Sequence, residues 1–208
     1  MKISAVKVLI AANFVVFALQ NSFKDEFDLL FALWPMQPID GENYFHLWQI
    51  VTYGFLHSTG NISHLLFNML GLWMFGSDVE RHVGPRWLLA CYFASVVTAA
   101  LSQLFVPLLF GAPPAATIGA SGGVFGLLLA YAILFPKRKV IPLIPPIPMP
   151  AWLFAALYAG IELFLGVTGS ISGVAHFAHL GGMVGSALVI AGWRRSQRTL
   201  TDRGNRLG

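Results

Sequence analysis

Long apolar blocks alternate along this chain with short segments that carry most of its charges. Six such blocks lie at about residues 3–19, 62–79, 87–109, 121–136, 151–167 and 173–193. A helix that crosses a bilayer needs about 20 predominantly apolar residues, so several blocks are near spanning length, whereas the first and fourth are short. We interpret the first block as a retained span, because no small-x-small cleavage site follows it cleanly. The pattern predicts an all-α, polytopic membrane protein with six transmembrane helices in a single domain over residues 1–208.

Composition supports the membrane assignment. Of the 208 residues, 56% are apolar and only 11% are charged, and the mean hydropathy is +0.69. A water-soluble domain of this size would have too little polar surface to cover itself. The one cysteine, Cys91, excludes an intramolecular disulfide and is expected to be a small core residue.

The placement of basic residues predicts the orientation of the chain in the membrane. With a cytoplasmic amino terminus, six spans put every lysine and arginine except Lys24 on the inner side, as the positive-inside rule requires. The basic pI of about 9.5 then reflects membrane orientation and does not indicate nucleic-acid binding. We expect a bacterial inner-membrane protein with both termini in the cytoplasm and a basic cytoplasmic tail at residues 194–208.

Two connecting segments have unusual compositions. Residues 20–60 mix acidic with aromatic and aliphatic side chains, which suits an outer loop partly embedded in the membrane interface. Residues 141–150 contain five prolines, and these forbid a regular helix. We expect a stiff inner connector there, with Pro150 opening the fifth membrane helix.

Helical rise places four polar residues in one layer of the membrane. At ~1.5 Å per residue, Ser121 lies about 24 Å above the inner charged boundary and His179 about 22 Å above it. His64 and Asn68, counted from Arg81 on the second span, lie at about 25 and 20 Å. Intramembrane polar residues are costly and are functional candidates by default. Their shared depth predicts one site just below the outer interface.

The serine also has a structural interpretation. Serine in a membrane helix most often bonds a backbone carbonyl or packs a close helix contact. Small residues on two spans favour such a contact, namely Gly119, Gly122, Gly123 and Gly126 facing Gly181, Gly182, Gly185 and Ser186. The two interpretations are compatible, because close contact would let Ser121 and His179 share the hydrogen bond that a nucleophile and its base need.

The pair on the second span is open to two interpretations as well. His64 and Asn68 are four residues apart and therefore share one helix face. They are either an interhelical hydrogen-bonding pair or donors to an oxyanion, together with the backbone N–H of Ser121. The serine motif favours the second interpretation.

Three motifs in combination resemble a known family. Gly119-Ala120-Ser121-Gly122, His64 with Asn68, and Ala178-His179 followed by glycines lie on the fourth, second and sixth spans. In this arrangement they resemble the rhomboid family of intramembrane serine proteases, in its minimal six-helix bacterial form, over about residues 46–193. The resemblance implies a six-helix rhomboid bundle. It also implies a Ser-His dyad without a third acidic member, which cleaves single-span membrane proteins near the outer face.

Carried over position by position, the resemblance implies a role for each candidate. Ser121 is the nucleophile and His179 the base, and His64, Asn68 and the Ser121 backbone N–H stabilise the oxyanion. No cofactor or metal is implied. The expected partners are transmembrane substrates and the lipid bilayer, without nucleic acid, and the oligomeric state stays open. Supporting residues are Gly119, Gly122 and Phe125, the last at a position where many members pack an aromatic ring on the catalytic histidine.

Three positions depart from the family pattern or are ambiguous. Gln49 follows Trp48 where many members have arginine. His176 is the alternative base, but the Ala-His-x-x-Gly pattern favours His179. Glu162, the one acid inside the membrane, is expected to be a protonated or hydrogen-bonded group near the site or a gate. A zinc site is not expected, because no thiol or clearly placed carboxylate accompanies the intramembrane histidines.

Two other functions remain as alternatives. A catalytically inactive rhomboid-like protein that binds membrane proteins would be expected to have lost Ser121 or His179, and this chain has both. A small proton-coupled transporter could use the intramembrane histidines and Glu162, but it would need a route from the inner side to the midplane. The inner halves of the fourth and sixth spans are instead apolar.

Overall fold

A computed structural model describes residues 4–109, 115–143, 145–169 and 175–206. Helices dominate these ranges, which confirms the prediction of an all-α, polytopic membrane protein. A single turn of 3-10 helix, Tyr53–Phe55, follows α3. The α-helices are α1 (Ala5–Ser22), α2 (Lys24–Phe31), α3 (Gln49–Thr52), α4 (Ile62–Val83), α5 (Pro85–Leu109), α6 (Ser121–Leu134), α7 (Ala151–Thr168) and α8 (His176–Arg206).

Six of these helices fall on the six apolar blocks, and apart from the end of α8 their bounds differ from the blocks by a few residues. Residue 3 and residues 173–174, at the edges of the first and sixth blocks, lie outside the described ranges. The helix α8 continues without a break from the sixth block into the basic segment, as far as Arg206. The fourth block ends as a helix at Leu134, two residues earlier than expected.

Length and hydropathy alone qualify three described stretches as membrane spans: α1, residues 85–106 of α5, and α7. The helix α6 is apolar but only 14 residues long. Helices α4 and α8 are long enough, but polar residues interrupt their apolar sequences, among them His64 and Asn68 on α4 and His176 and His179 on α8. The candidate site residues are therefore among the side chains that weaken the spanning signal.

The centre of the bundle is formed by α5, α6 and α8, with α8 packed along both other helices. Glycines bring these backbones together. A Cβ atom built on Gly182 of α8 would collide with the backbone of Gly122 on α6, and one built on Gly185 would lie 2.5 Å from the carbonyl oxygen of Ala94 on α5. Because the obstructing atoms are backbone, no side-chain rotation could relieve these clashes. The expected small-residue contact between the fourth and sixth spans is present.

At the end of the bundle where α1 begins, α4 caps α1. The Glu80 carboxylate of α4 accepts hydrogen bonds from Ser4 Oγ at 2.6 Å and from the backbone N–H of Ala5 at 2.7 Å. Negative charge at a helix amino terminus satisfies unpaired N–H groups and complements the helix dipole. This contact fixes α1 against the core of the bundle.

At the opposite end of the bundle, residues 23–61 form a structured segment instead of an open loop, called the outer segment here after its predicted side of the membrane. Gln49 is fully buried there, and its side chain bonds four backbone groups. Its oxygen accepts from the N–H groups of Trp34 and His46, and its amide donates to the carbonyls of Leu30 and Tyr44. Gln49 thus ties the outer segment together.

The outer segment also grips the chain just before α6. Leu33 and Thr117 exchange two backbone hydrogen bonds, each 2.9 Å long. Aromatic and aliphatic side chains remain exposed on this segment, including Phe23, Leu47 and Trp48, as expected for a loop that lies partly in the membrane interface.

The proline-rich connector between α6 and α7 begins and ends in a small β pairing. Lys139–Val140 and Met149–Pro150 form two antiparallel two-residue strands, β1 and β2. Pro150 stands at the N-cap of α7, directly before the first helical residue Ala151. The sequence predicted the interruption of the helix but not this pairing, because two-residue strands have no periodicity to detect.

We expect Gly182→Ala to destabilise the protein by about 3 kcal/mol or more, since overpacking against backbone is not easily relieved. The measurement is the midpoint of thermal unfolding in detergent. Gly192→Ala on the same helix is the matched control, because a Cβ atom there meets nothing within 4 Å. Equal melting temperatures for the two variants would show that α6 and α8 do not need this close approach.

Candidate active site

Ser121 is the first residue of α6, and the chain before it makes a turn that requires glycine. Gly119 has a φ of +128°, which favours glycine because side chains clash there. Its N–H donates to the carbonyl of Tyr53 at 3.0 Å. The first N–H groups of a helix have no acceptor within the helix and carry partial positive charge. Ser121 therefore presents its hydroxyl beside backbone donors suited to an anion.

His179 of α8 faces this hydroxyl across the glycine contact. The distance from His179 Nε2 to Ser121 Oγ is 2.8 Å, a hydrogen bond. The Phe125 ring, one turn along α6, stacks on the imidazole with the ring centres 4.2 Å apart and the planes 2° from parallel. The serine and histidine placed at one depth by helical rise are thus in direct contact, and the imidazole is held by an aromatic ring.

His64 lies on the other side of the turn at residues 119–121, called the serine loop here. A Cβ atom on Gly119 would be 3.0 Å from His64 Nε2 and 3.7 Å from Ser121 Oγ, so both groups border the same space. His64 Nδ1 is 3.3 Å from the backbone N–H of Ser58 and accepts from it. A neutral imidazole that accepts at one nitrogen carries its proton on the other. Nε2–H is therefore a donor on the side of Gly119.

Asn68 is buried on the same helix face but bonds to its own helix. Its side-chain amide donates to the backbone carbonyl of His64 at 2.7 Å. An amide has a second N–H, so this bond leaves one further donor. The structure brings His64 to the serine loop more directly than Asn68.

Glu162 of α7 contacts both histidines of α8. One carboxylate oxygen, Oε2, is 2.6 Å from His176 Nδ1 and 3.0 Å from His179 Nδ1. The three residues have exposed fractions of 6–8%. The expectation that no carboxylate accompanies the intramembrane histidines was wrong. Depth along the helix had placed Glu162 near this layer, but helical rise says nothing about the direction in which a side chain points.

The same three residues are a donor set of the kind that divalent cations bind. One carboxylate oxygen and two imidazole nitrogens lie within 4.8 Å of one another, and zinc accepts such ligands. The carboxylate oxygen shares a hydrogen bond with His176 Nδ1, whereas its contact with His179 Nδ1 has ion-pair distance without hydrogen-bond alignment.

The family comparison agrees with this architecture. The family model described as Rhomboid domain matches residues 44–196, which include both spans of the serine–histidine contact. The chain belongs to the rhomboid family. This confirms the resemblance inferred from the three motifs.

Relatives with rhomboid names occur in several organisms. The chain is 32% identical to "Rhomboid protein 1, mitochondrial" of Saccharomyces cerevisiae, over 69% of this chain and 41% of the relative. It is 29% identical to "RHOMBOID-like protein 12, mitochondrial" of Arabidopsis thaliana, over 91% of the chain and 57% of the relative. It is also 29% identical to "Rhomboid protease GlpG" of Yersinia pestis, over 83% and 58%. The chain thus spans about half the length of these rhomboid relatives.

One further histidine packs beside the site. His57, in the outer segment, has its ring centre 5.2 Å from that of His64. It is fully buried, and burial, followed by the neighbouring His64, lowers the pKa of His57 from 6.5 to about 4. Burial removes the water that would otherwise stabilise a positive charge on the imidazole.

We expect the thermal stability to fall as the pH decreases from about 6.5 towards 4. In this window the unfolded state binds a proton at His57 and the folded state does not, so protonation favours unfolding. The measurement is the melting temperature at pH 7.5 and pH 5, for the wild type and for His57→Gln. The variant should show the smaller decrease, and an equal decrease in both proteins would contradict the assignment.

Proposed function

We propose that this rhomboid-family chain is an intramembrane serine endopeptidase that cleaves single-span membrane proteins near the outer face of the bilayer. Ser121 is the nucleophile and His179 the general base. The 2.8 Å contact between Ser121 Oγ and His179 Nε2 carries this proposal, because activation of a serine hydroxyl requires a base within hydrogen-bonding reach. The name of the Yersinia pestis relative, a rhomboid protease, also supports it.

The reaction begins with the attack of Ser121 Oγ on the carbonyl carbon of the scissile peptide. As the new C–O bond forms, the hydroxyl proton passes to His179 Nε2. The imidazolium then returns the proton to the nitrogen of the leaving amine as the C–N bond breaks. A water molecule, activated by the same imidazole, hydrolyses the acyl-enzyme and restores the serine. No cofactor is needed for these steps.

The carbonyl oxygen becomes negatively charged during the attack, and three groups are assigned to stabilise it. They are the backbone N–H of Ser121, His64 Nε2–H and the Asn68 amide. The tautomer of His64 supports its assignment, because the bond from Ser58 leaves Nε2 as the donor. Fixed donors aimed at developing charge are among the strongest contributions to catalysis.

We assign substrate access to the side of the bundle formed by α7. Only 22% of the residues in α7 are buried, against 39% along the span of α5. A substrate helix can approach laterally past a helix that has few contacts with the core. Its peptide bonds are shielded within a regular helix, so it must unwind locally before the attack.

The membrane setting follows the charge distribution. We propose that the basic connections and the carboxyl-terminal segment face the cytoplasm of a bacterial inner membrane, with the serine layer towards the outside. The apolar inner half of the bundle, including buried Leu127 and Ile190, favours a cavity that opens outward over a transport route. The intact serine–histidine contact favours a protease over an inactive membrane-protein binder.

We expect Ser121→Ala to abolish cleavage of a fluorogenic single-span transmembrane peptide while the melting temperature stays close to that of the wild type. Loss of one hydroxyl removes the nucleophile but little packing. His179→Ala should have the same effect on cleavage, because a nucleophile and its base act as a unit. The matched control is Ser186→Ala, another small buried serine in the core, which should retain cleavage. Full activity of either site variant excludes this pair.

For the oxyanion donors we expect graded losses. Removal of a single donor costs about 10²- to 10³-fold in turnover when it acts alone, and the backbone N–H groups should soften this loss. His64→Ala should lower kcat more than Asn68→Ala, since Asn68 bonds its own helix, and KM should change little. Melting temperatures measured on the same preparations test the alternative: losses of stability in parallel with losses of turnover would mean that both side chains only hold helices together.

A further inference from the structure

We infer that Glu162 is a positioning residue for His179, so that the site works as a serine–histidine–glutamate triad instead of a two-residue dyad. This inference rests on the proposed protease function. The observation behind it is the contact of one carboxylate with the ring nitrogen of His179 that faces away from Ser121.

The two nitrogens of His179 have separate partners. Nε2 is 2.8 Å from Ser121 Oγ and Nδ1 is 3.0 Å from Glu162 Oε2. A base for serine needs a lone pair at Nε2, which in a neutral imidazole requires the proton at Nδ1. An acceptor-only carboxylate beside Nδ1 favours this tautomer over the other. Glu162 therefore selects the form of His179 that can take the serine proton.

The carboxylate also faces the charge that forms during the reaction. When His179 accepts the proton from Ser121 Oγ, the imidazolium has N–H groups at both nitrogens. The proton at Nδ1 stays on the ring, and Glu162 stabilises the positive charge without itself gaining a proton. In serine hydrolases of other folds, an acidic side chain acts on the imidazole in this way.

His176 also contacts the Glu162 carboxylate. Its Nδ1 is 2.6 Å from the same oxygen, Glu162 Oε2. Glu162 Oε2 lies at ion-pair distance from His179 Nδ1, but the Nδ1–H of His179 does not point towards this oxygen. Catalytic hydrogen bonds are often loosely aligned before substrate binds and tighten in the complex.

A competing interpretation makes Glu162 a clamp between helices. Glu162 is on α7, and His176 and His179 are on α8, so their contacts also join the two helices. A clamp and a positioning residue differ in the consequence of losing it. Loss of a clamp frees α7 and eases substrate access, whereas loss of a positioning residue slows the chemical step.

The test compares Glu162→Gln, Glu162→Asp and His176→Ala with the wild type, using the fluorogenic transmembrane peptide in detergent micelles. Glu162→Gln should lower kcat by about 10²-fold with KM nearly unchanged, less than the ~10⁴-fold cost of the equivalent amide in a well-aligned triad. The new amide can donate to Nδ1 and so stabilise the wrong tautomer. Glu162→Asp should recover part of the rate, because it restores a carboxylate.

His176→Ala is the matched control, since it removes the shorter contact of Glu162 and leaves the contact with His179. It should lower turnover by less than tenfold. Equal changes in kcat for Glu162→Gln and His176→Ala, or faster cleavage by Glu162→Gln, would overturn the positioning role. All rates should be the same with a chelator and with added Zn²⁺. A requirement for the metal would also overturn the assignment of Glu162 to the triad.

The outcomes also separate this inference from the proposed function. If the wild type cleaves the peptide through Ser121 and Glu162→Gln cleaves equally fast, only the role of Glu162 is wrong. If the wild type does not cleave the peptide under any of these conditions, the proposed protease function is wrong, and the triad that rests on it is wrong too.

Discussion

The close approach of α6 and α8 determines whether Ser121 and His179 can meet. Two helices with ordinary side chains between them lie 8–10 Å apart, whereas here the backbone of Gly182 contacts that of Gly122. In a membrane, helix association cannot depend on the hydrophobic effect, because lipid is as apolar as the helix surface. Small residues that allow backbone packing therefore provide both the stability of the bundle and the geometry of the candidate site.

The outer segment holds the chain that leads into the site. Gln49 organises this segment by bonding four backbone groups, and the segment in turn pairs with Thr117 and holds Gly119 through Tyr53. The serine loop is thus anchored by backbone hydrogen bonds to the outer segment at its start and by α6 at its end. A buried polar group without partners costs several kcal/mol in an apolar environment. The side chains of Ser121, His179, Glu162 and His176 reduce that cost by bonding one another.

The sequence predicted the fold and the Ser121–His179 contact from few signals. Block length gave the spans, glycine spacing gave the close helix pair, and helical rise put the polar residues at one depth. It did not predict that Glu162 turns towards both histidines, because the direction depends on how α7 is rotated against α8. Nor did it show that Gln49 bridges segments of the outer loop, since these bonds join backbone groups that only the folded loop brings together. Periodicity records which face is apolar, but not the partner of a polar side chain on that face.

The relation between Ser121 and His179 is the central claim, and covalent labelling tests it directly. The intact wild-type protein, folded in detergent or bilayer, is incubated with a fluorophosphonate probe and the adduct is mapped by tandem mass spectrometry. We expect one adduct, on Ser121 Oγ, and no adduct there when His179 is replaced by alanine. Labelling of a different serine, or undiminished labelling of Ser121 without His179, would contradict the account.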